Sequence, residues 1–187
     1  MISNFKASQA TLVRLKELEV ISKILENSSI FYSVMGGFAV DGHMGSLTRD
    51  HDDLDMLCYR KEVDSIKGLL GEQGFQFSEQ CLPDESVPYK FCNQEKTLTF
   101  HIIKKINGNF DIAFWNPRHL QYPCPLLARK KVVIDSVGFY AVNKEFLIDL
   151  KHKQRDFEYR HLDNPKHEKK YKDCLHDLEI LKKSIFD

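Results

Sequence analysis

The chain has 187 residues, 42% of them hydrophobic, and its 27 basic and 27 acidic side chains give a formal net charge of zero. That length fits one domain with at most a small helical appendix, and the charge balance speaks against a dedicated nucleic-acid binder, which carries a basic excess. No apolar run is long enough to span a bilayer, the start M-I-S-N-F-K-A-S lacks a signal-peptide core, and the five cysteines show no C-x-x-C spacing. A cytoplasmic protein with reduced thiols is therefore expected.

Along the chain, Ser8 to Asn27 reads as an amphipathic helix: Leu12, Leu15, Leu18, Ile21, Ile24 and Leu25 recur at helical spacing, and Ser8 suits the cap. Ile30 to Met35 reads as a strand. Gly37 to Met44 follows as a short helix whose N-terminus would aim amides at an anion. Asp53 to Tyr59 is the next strand, and Lys61 to Gln73 a helix ending near Gly74. Strands are expected at 75–78, 89–93, 97–105 and 109–115, with Asn107-Gly108 as a hairpin turn. A further hairpin is expected at 131–135 and 137–142. Helices follow at 144–160 and 165–185, with Pro165 in the first turn of the second and Asn164 as its cap. The fold class is α+β: a mixed sheet flanked by helices over residues 1–143, then a helical C-terminal part over 144–187 that completes a cleft.

The richest stretch is V-M-G-G-F-A-V-D-G-H-M-G-S-L-T-R-D-H-D-D-L-D-M-L, residues 34–57. Gly36 and Gly37 end one hydrophobic run and let a backbone approach a phosphate. Asp53 and Asp55 are two residues apart in a strand and so share a face. Two close carboxylates repel unless a cation sits between them, and magnesium suits such an all-oxygen set. Glycines and paired aspartates in this order resemble the DNA polymerase β-like nucleotidyltransferase superfamily. The longer string, with Asp41 in the short helix, Thr48-Arg49 and H-D-D-L-D, resembles the branch that modifies aminoglycoside and lincosamide antibiotics. Phe38 stands where that branch usually has Trp.

The resemblance implies a third carboxylate on a neighbouring strand. Asp111, in N-F-D-I-A-F-W, is the candidate, and Asp135, beside a Ser136–Gly138 turn, is the runner-up. Without the resemblance Asp111 reads as the solvated face of an edge strand. The resemblance further implies two magnesium ions, one on Asp53 and Asp55 and one shared with Asp111, which serves as ligand or as general base. Arg49 suits a phosphate or a neighbouring carboxylate, Asp50 or Asp52. In the C-terminal helices F-L-I-D-L-K-H-K and Y-K-D-C-L-H-D-L-E-I-L resemble later superfamily motifs. That match implies Lys151 and Lys172 for the nucleotide, with Asp173 and Asp177 either orienting these lysines or capping the helix packing. Lysines on such helices otherwise present a solvated face. His51 is placed to hydrogen-bond an aspartate; Asp41 contacts either the acceptor or nearby backbone.

The implied activity moves a nucleoside monophosphate from a nucleoside triphosphate, ATP by expectation, to a hydroxyl of a small molecule, with release of pyrophosphate. An aminoglycoside would ask for an acidic cleft, and Asp84, Glu85, Glu145 and Glu158 are the acidic candidates. Two other readings stand beside it: a toxin-like enzyme acting on tRNA or protein, and a non-catalytic nucleotide-binding regulator. The sequence leaves the acceptor and the oligomeric state open.

Overall fold

The computed structural model describes residues 5–78, 88–93, 96–113, 119–123 and 129–183. Asp84, Glu85, Cys81, Cys124 and the last two residues of the expected 109–115 strand lie outside these. Among the described residues nine strands form one mixed sheet. In chain order the elements are α1 (Gln9–Asn27), β1 (Tyr32–Met35), α2 (Gly36–Met44), β2 (Leu54–Tyr59) and, after a 3-10 turn at Arg60–Glu62, α3 (Val63–Glu72). Then come β3 (Gln76–Ser78), β4 (Tyr89–Asn93), β5 (Lys96–Ile106), β6 (Asn109–Ala113), β7 (His119–Pro123), β8 (Arg129–Ile134) and β9 (Val137–Val142). Two helices close the chain, α4 (Lys144–Tyr159) and α5 (Pro165–Lys183).

The strand order is β3-β4-β5-β2-β1-β9-β8, and β6 pairs with β5 and β7. β2 runs parallel to β5, and β1 parallel to β9; the other pairs are antiparallel. The central strands are covered on both faces. Thus β1 is buried throughout, and β5 is buried at every position from Leu98 to Ile103, which is the continuous apolar reading expected of such strands. α1 lies along β9 and touches α3, while α2 lies between the sheet and the α4–α5 pair.

Helix α1 starts at the expected cap, where Ser8 Oγ accepts from the Thr11 amide at 3.2 Å. Its buried stripe differs from the apolar count in the sequence. Thr11, Arg14, Leu15, Leu18, Ile21, Ser22 and Leu25 face inward, whereas Leu12 and Val20 are exposed. Three polar residues thus face inward, and two of them, Thr11 and Arg14, hold the loop before β2. Asp135 sits in the tight β8–β9 turn with φ of 52°, as its sequence neighbours imply.

Candidate active site

The β1–α2 junction explains the two glycines separately. Gly36 has φ of 70°, a conformation that side chains disfavour, and a Cβ there would stand 3.3 Å from Asp55 Oδ2. Gly37 is required by space. A Cβ on it would come within 2.5 Å of the His51 ring and 2.4 Å of Arg49 Nη2. Helix α2 begins at Gly36 with no side-chain cap, so its first amides are the orphan donors that attract anions. Met35, the residue before them, is in register with Asp55 on β2.

The loop from Thr48 to Asp52 is held by charge and hydrogen bonds. Asp41, fully buried on α2, accepts from the Thr48 hydroxyl at 2.5 Å and the Thr48 amide at 3.1 Å. Its Oδ2 also lies 2.6 Å from His51 Nε2. Asp41 therefore binds nearby backbone and side chains, and His51 takes an aspartate as expected. The Phe38 ring packs on His51 with centroids 4.3 Å apart. From α1, Thr11 donates to Asp50 Oδ1 at 2.7 Å and accepts from the His51 amide at 3.0 Å. Arg14 donates to the Asp52 carbonyl at 3.1 Å.

Arg49 donates Nη1–H to the Asp50 backbone carbonyl at 2.9 Å but takes neither the Asp50 nor the Asp52 carboxylate; its side-chain partner lies far along the chain. It donates Nε–H to Asp177 Oδ1 at 2.9 Å and Nη2–H to Oδ2 at 3.1 Å, a two-pronged contact. Lys151 Nζ, itself buried, sits 2.7 Å from the same Oδ2. Burial alone would raise the Asp177 pKa, but Lys151 and Arg49 outweigh it and hold the carboxyl far below its ordinary range. Burial pulls the Lys151 ammonium down, and Asp177 returns it above its ordinary value. Asp177 thus holds Lys151, one of the two lysines the C-terminal motif assigns to it, together with Arg49, which the motif does not, and Asp173 lies 3.8 Å from Arg49 Nη1.

Asp53 and Asp55 present the opposite case. Asp53 stands just before β2 and is exposed; Asp55 is the second residue of the strand and half-buried. The charge of Asp55, together with the local loss of water, raises the Asp53 pKa. Lys170, Lys151 and Arg49 pull it back. Lys170 was missed from sequence. It lies on the α5 stripe that continues through Cys174 and Asp177, four and seven residues on. Next to it, Lys169 forms a close ion pair with Asp52. Lys172 points elsewhere: it is exposed and paired with Glu168 at 2.6 Å one turn away. The structure therefore does not bring Lys172 to the aspartates, because two residues of helix turn it well off the Lys170 face.

Asp111 is not brought to the pair either. On β5 the register partner of Asp55 is Thr99, whereas that of Asp111 is Lys104. Five residues of strand separate those levels, about 16 Å, and an odd number of residues puts Asp111 on the opposite face. Nor is β6 an edge, since β7 covers it, and Asp111 is buried in register between Lys104 and Gln121. The side chain beside Asp55 on β5 is instead His101, buried, with Nε2 3.6 Å from Asp55 Oδ1. Among the described residues no three His, Cys, Asp or Glu side chains are grouped to hold a metal ion.

Paired aspartates at the mouth of a glycine-started helix, on a mixed sheet of this order, define a nucleotidyltransferase of the DNA polymerase β-like type. The chain belongs to the aminoglycoside-2''-adenylyltransferase family, whose model matches residues 17–125, more than half its length. Solved structures share the fold at low identity. ANT(2'')-Ia in complex with adenylyl-2''-tobramycin is 15% identical with a TM-score of 0.57, over 92% of this chain and 96% of that one. The lincosamide antibiotic adenylyltransferase LnuA, lincomycin-bound, is 17% identical with a TM-score of 0.52, over 75% and 84%. An antigenic nucleotidyltransferase-like protein from Paracoccidioides brasiliensis is 16% identical with a TM-score of 0.53, over 94% and 77%. No curated protein matches the chain in sequence. No helix among the described residues is long and apolar enough to cross a membrane.

Proposed function

We propose that the protein transfers a nucleoside monophosphate, with ATP as the donor, to a hydroxyl of an aminoglycoside or lincosamide. The observation that carries this reading is the Asp53–Asp55 pair beside the uncapped start of α2, with Asp53 raised by its neighbour. An oxygen-only pair whose charges repel fits a hard divalent cation. Asp53 and Asp55 would hold magnesium, which when bound offsets the charge of the triphosphate. In this reading residues 1–143 carry the chemistry and residues 144–187 bring cations over the cleft.

The α2 amides, freed of steric hindrance by Gly36 and Gly37, receive a phosphate. Lys170 reaches the triphosphate from α5, in the role the sequence gives to Lys172. Arg49 and Lys151 act from behind, as fixed positive charge kept in place by Asp177. The acceptor oxygen bonds to the α-phosphorus, the bond from that phosphorus to the bridging oxygen breaks, pyrophosphate leaves with that oxygen, and the hydroxyl's proton passes to solvent. Positioning and charge neutralisation supply most of the rate in such transfers.

The tRNA alternative asks for a basic surface bordering the cleft. The described basic depression, lined by Arg60, Lys61, Lys104 and Lys105 with Tyr59 and Phe110, lies at the other end of β2 and β5 from Asp55. The test is pyrophosphate release with magnesium and each of the four nucleoside triphosphates, against aminoglycosides, lincosamides and bulk tRNA, with mass spectrometry of the acceptors. One antibiotic gaining one adenylyl group is the expected result. Modification of tRNA alone, or binding of magnesium–ATP with no transfer to any antibiotic, would overturn the reading.

A further inference from the structure

The sheet register can be followed outward from Asp55 across the face that carries the site. In one row stand Met35 on β1, Asp55 on β2, Thr99 on β5, Lys90 on β4 and Ser78 on β3. Residues in register share a face. The strand beside the aspartates, where the superfamily pattern asks for a third carboxylate, therefore offers Thr99 at the level of Asp55. Two residues on, the same face offers His101. Both are buried. The next residue in the row is a cation, Lys90.

A second magnesium ion on this flank needs anionic oxygen. Magnesium keeps near-octahedral oxygen geometry and binds proteins through one or two carboxylates. A threonine hydroxyl is neutral, and an imidazole suits zinc, copper, iron or nickel better than magnesium. His101 is moreover turned to Asp55, with Nε2 3.6 Å from Oδ1. It lies where a group can fix one orientation of a metal-binding carboxylate. Among the described residues, the carboxylate the sequence offers first as a shared ligand, Asp111, faces the other side of the sheet.

We infer that this protein works with a single divalent ion, held by Asp53 and Asp55, and that Thr99 and His101 occupy the flank where a second ion would sit. His101 is a positioning residue: it acts on the ion through Asp55. The inference rests on the nucleotidyltransferase reading above.

The experiment counts Mn2+ ions per chain. Electron paramagnetic resonance of free Mn2+, backed by calorimetry, is run on the full chain with the non-hydrolysable α,β-methylene analogue of ATP. One Mn2+ per chain is expected for the natural sequence, and two for Thr99→Asp, which adds a carboxylate opposite Asp55. His101→Asn should leave the count at one and weaken Mn2+ about tenfold, with His101→Gln recovering part of the loss. Two Mn2+ on the natural chain would overturn the inference while leaving the transferase reading intact. No nucleotide-dependent Mn2+ at all would overturn both. The natural-sequence count stands alone if Thr99→Asp does not fold. An unchanged Mn2+ affinity in a folded His101→Asn would remove His101 from the account.

Discussion

Two charged clusters lie close together in this protein and are built on opposite rules. Around Asp177 a fully buried carboxylate meets Arg49 and Lys151, and every charge is answered within 3.1 Å. At Asp53 and Asp55 two like charges are set on one face, and the raised Asp53 pKa records their repulsion. The first cluster ties α4 and α5 to the motif loop. The second keeps a cost in the ligand-free protein that, on the proposed function, a bound cation would remove. Clusters of the first kind hold a fold, and clusters of the second kind mark where the fold meets a ligand.

The sharpest way to break this comparison is Asp177→Ala. It leaves the buried Lys151 and the half-buried Arg49 without their partner, and a loss of about 3–5 kcal/mol is expected from urea unfolding. The acid limb carries the same sign. The Asp177 pKa is lowered on folding, so its contribution is complete above the ordinary carboxylate range. It is lost progressively as pH falls from that range to and through the depressed folded value. A smaller loss, about 1–3 kcal/mol, is expected for Gly37→Ala, because a Cβ collides with both Arg49 and His51. Magnesium–ATP affinity should fall with it, and calorimetry reads both.

Asp53→Asn should do the reverse and raise the melting temperature of the ion-free protein at pH 7. Asp53 is exposed, so screening keeps the gain below about 4 °C, the shift given by roughly 1 kcal/mol in a chain of this size. Folding raises the Asp53 pKa, so its favourable contribution is present in acid and lost as pH rises through the folded value. The gain from Asn therefore appears on that upward side, disappears in acid and shrinks in salt. The smallest effect belongs to Lys172→Ala: its pair with Glu168 is exposed and screened by solvent, so urea unfolding should be almost unchanged, with ATP affinity unchanged. Lys170→Ala should keep stability and weaken ATP several-fold; the opposite pattern would reassign the lysine.

Much of this was legible in the sequence because it is local. The glycine pair, the alternation that aligns Asp53 with Asp55, the Ser8 cap and the Asn107-Gly108 hairpin depend on neighbours a few residues apart. Arg49 and Asp177 each stand out in the sequence, but their partnership does not, since 128 residues separate them. Asp111 was drawn in by its apolar strand, and only the β5–β6 register reveals which face it takes. Strand β7 was missed although Leu120 and Tyr122 alternate with polar residues, because the run is short and ends in Pro123. The buried Thr11 and Arg14 left a signal, two polar residues on the leucine stripe of α1. His101 left none, since its meaning comes from the strand beside it.

The central claim, that Asp53 and Asp55 form the divalent-cation and nucleotide site, is tested most directly by titrating ATP into the protein calorimetrically. The natural chain and Asp53→Asn are compared, each with and without magnesium. The expected result is magnesium-dependent binding in the natural chain that falls at least tenfold in Asp53→Asn, with the variant folded and no less stable. Equal, magnesium-independent affinity in both would contradict the claim.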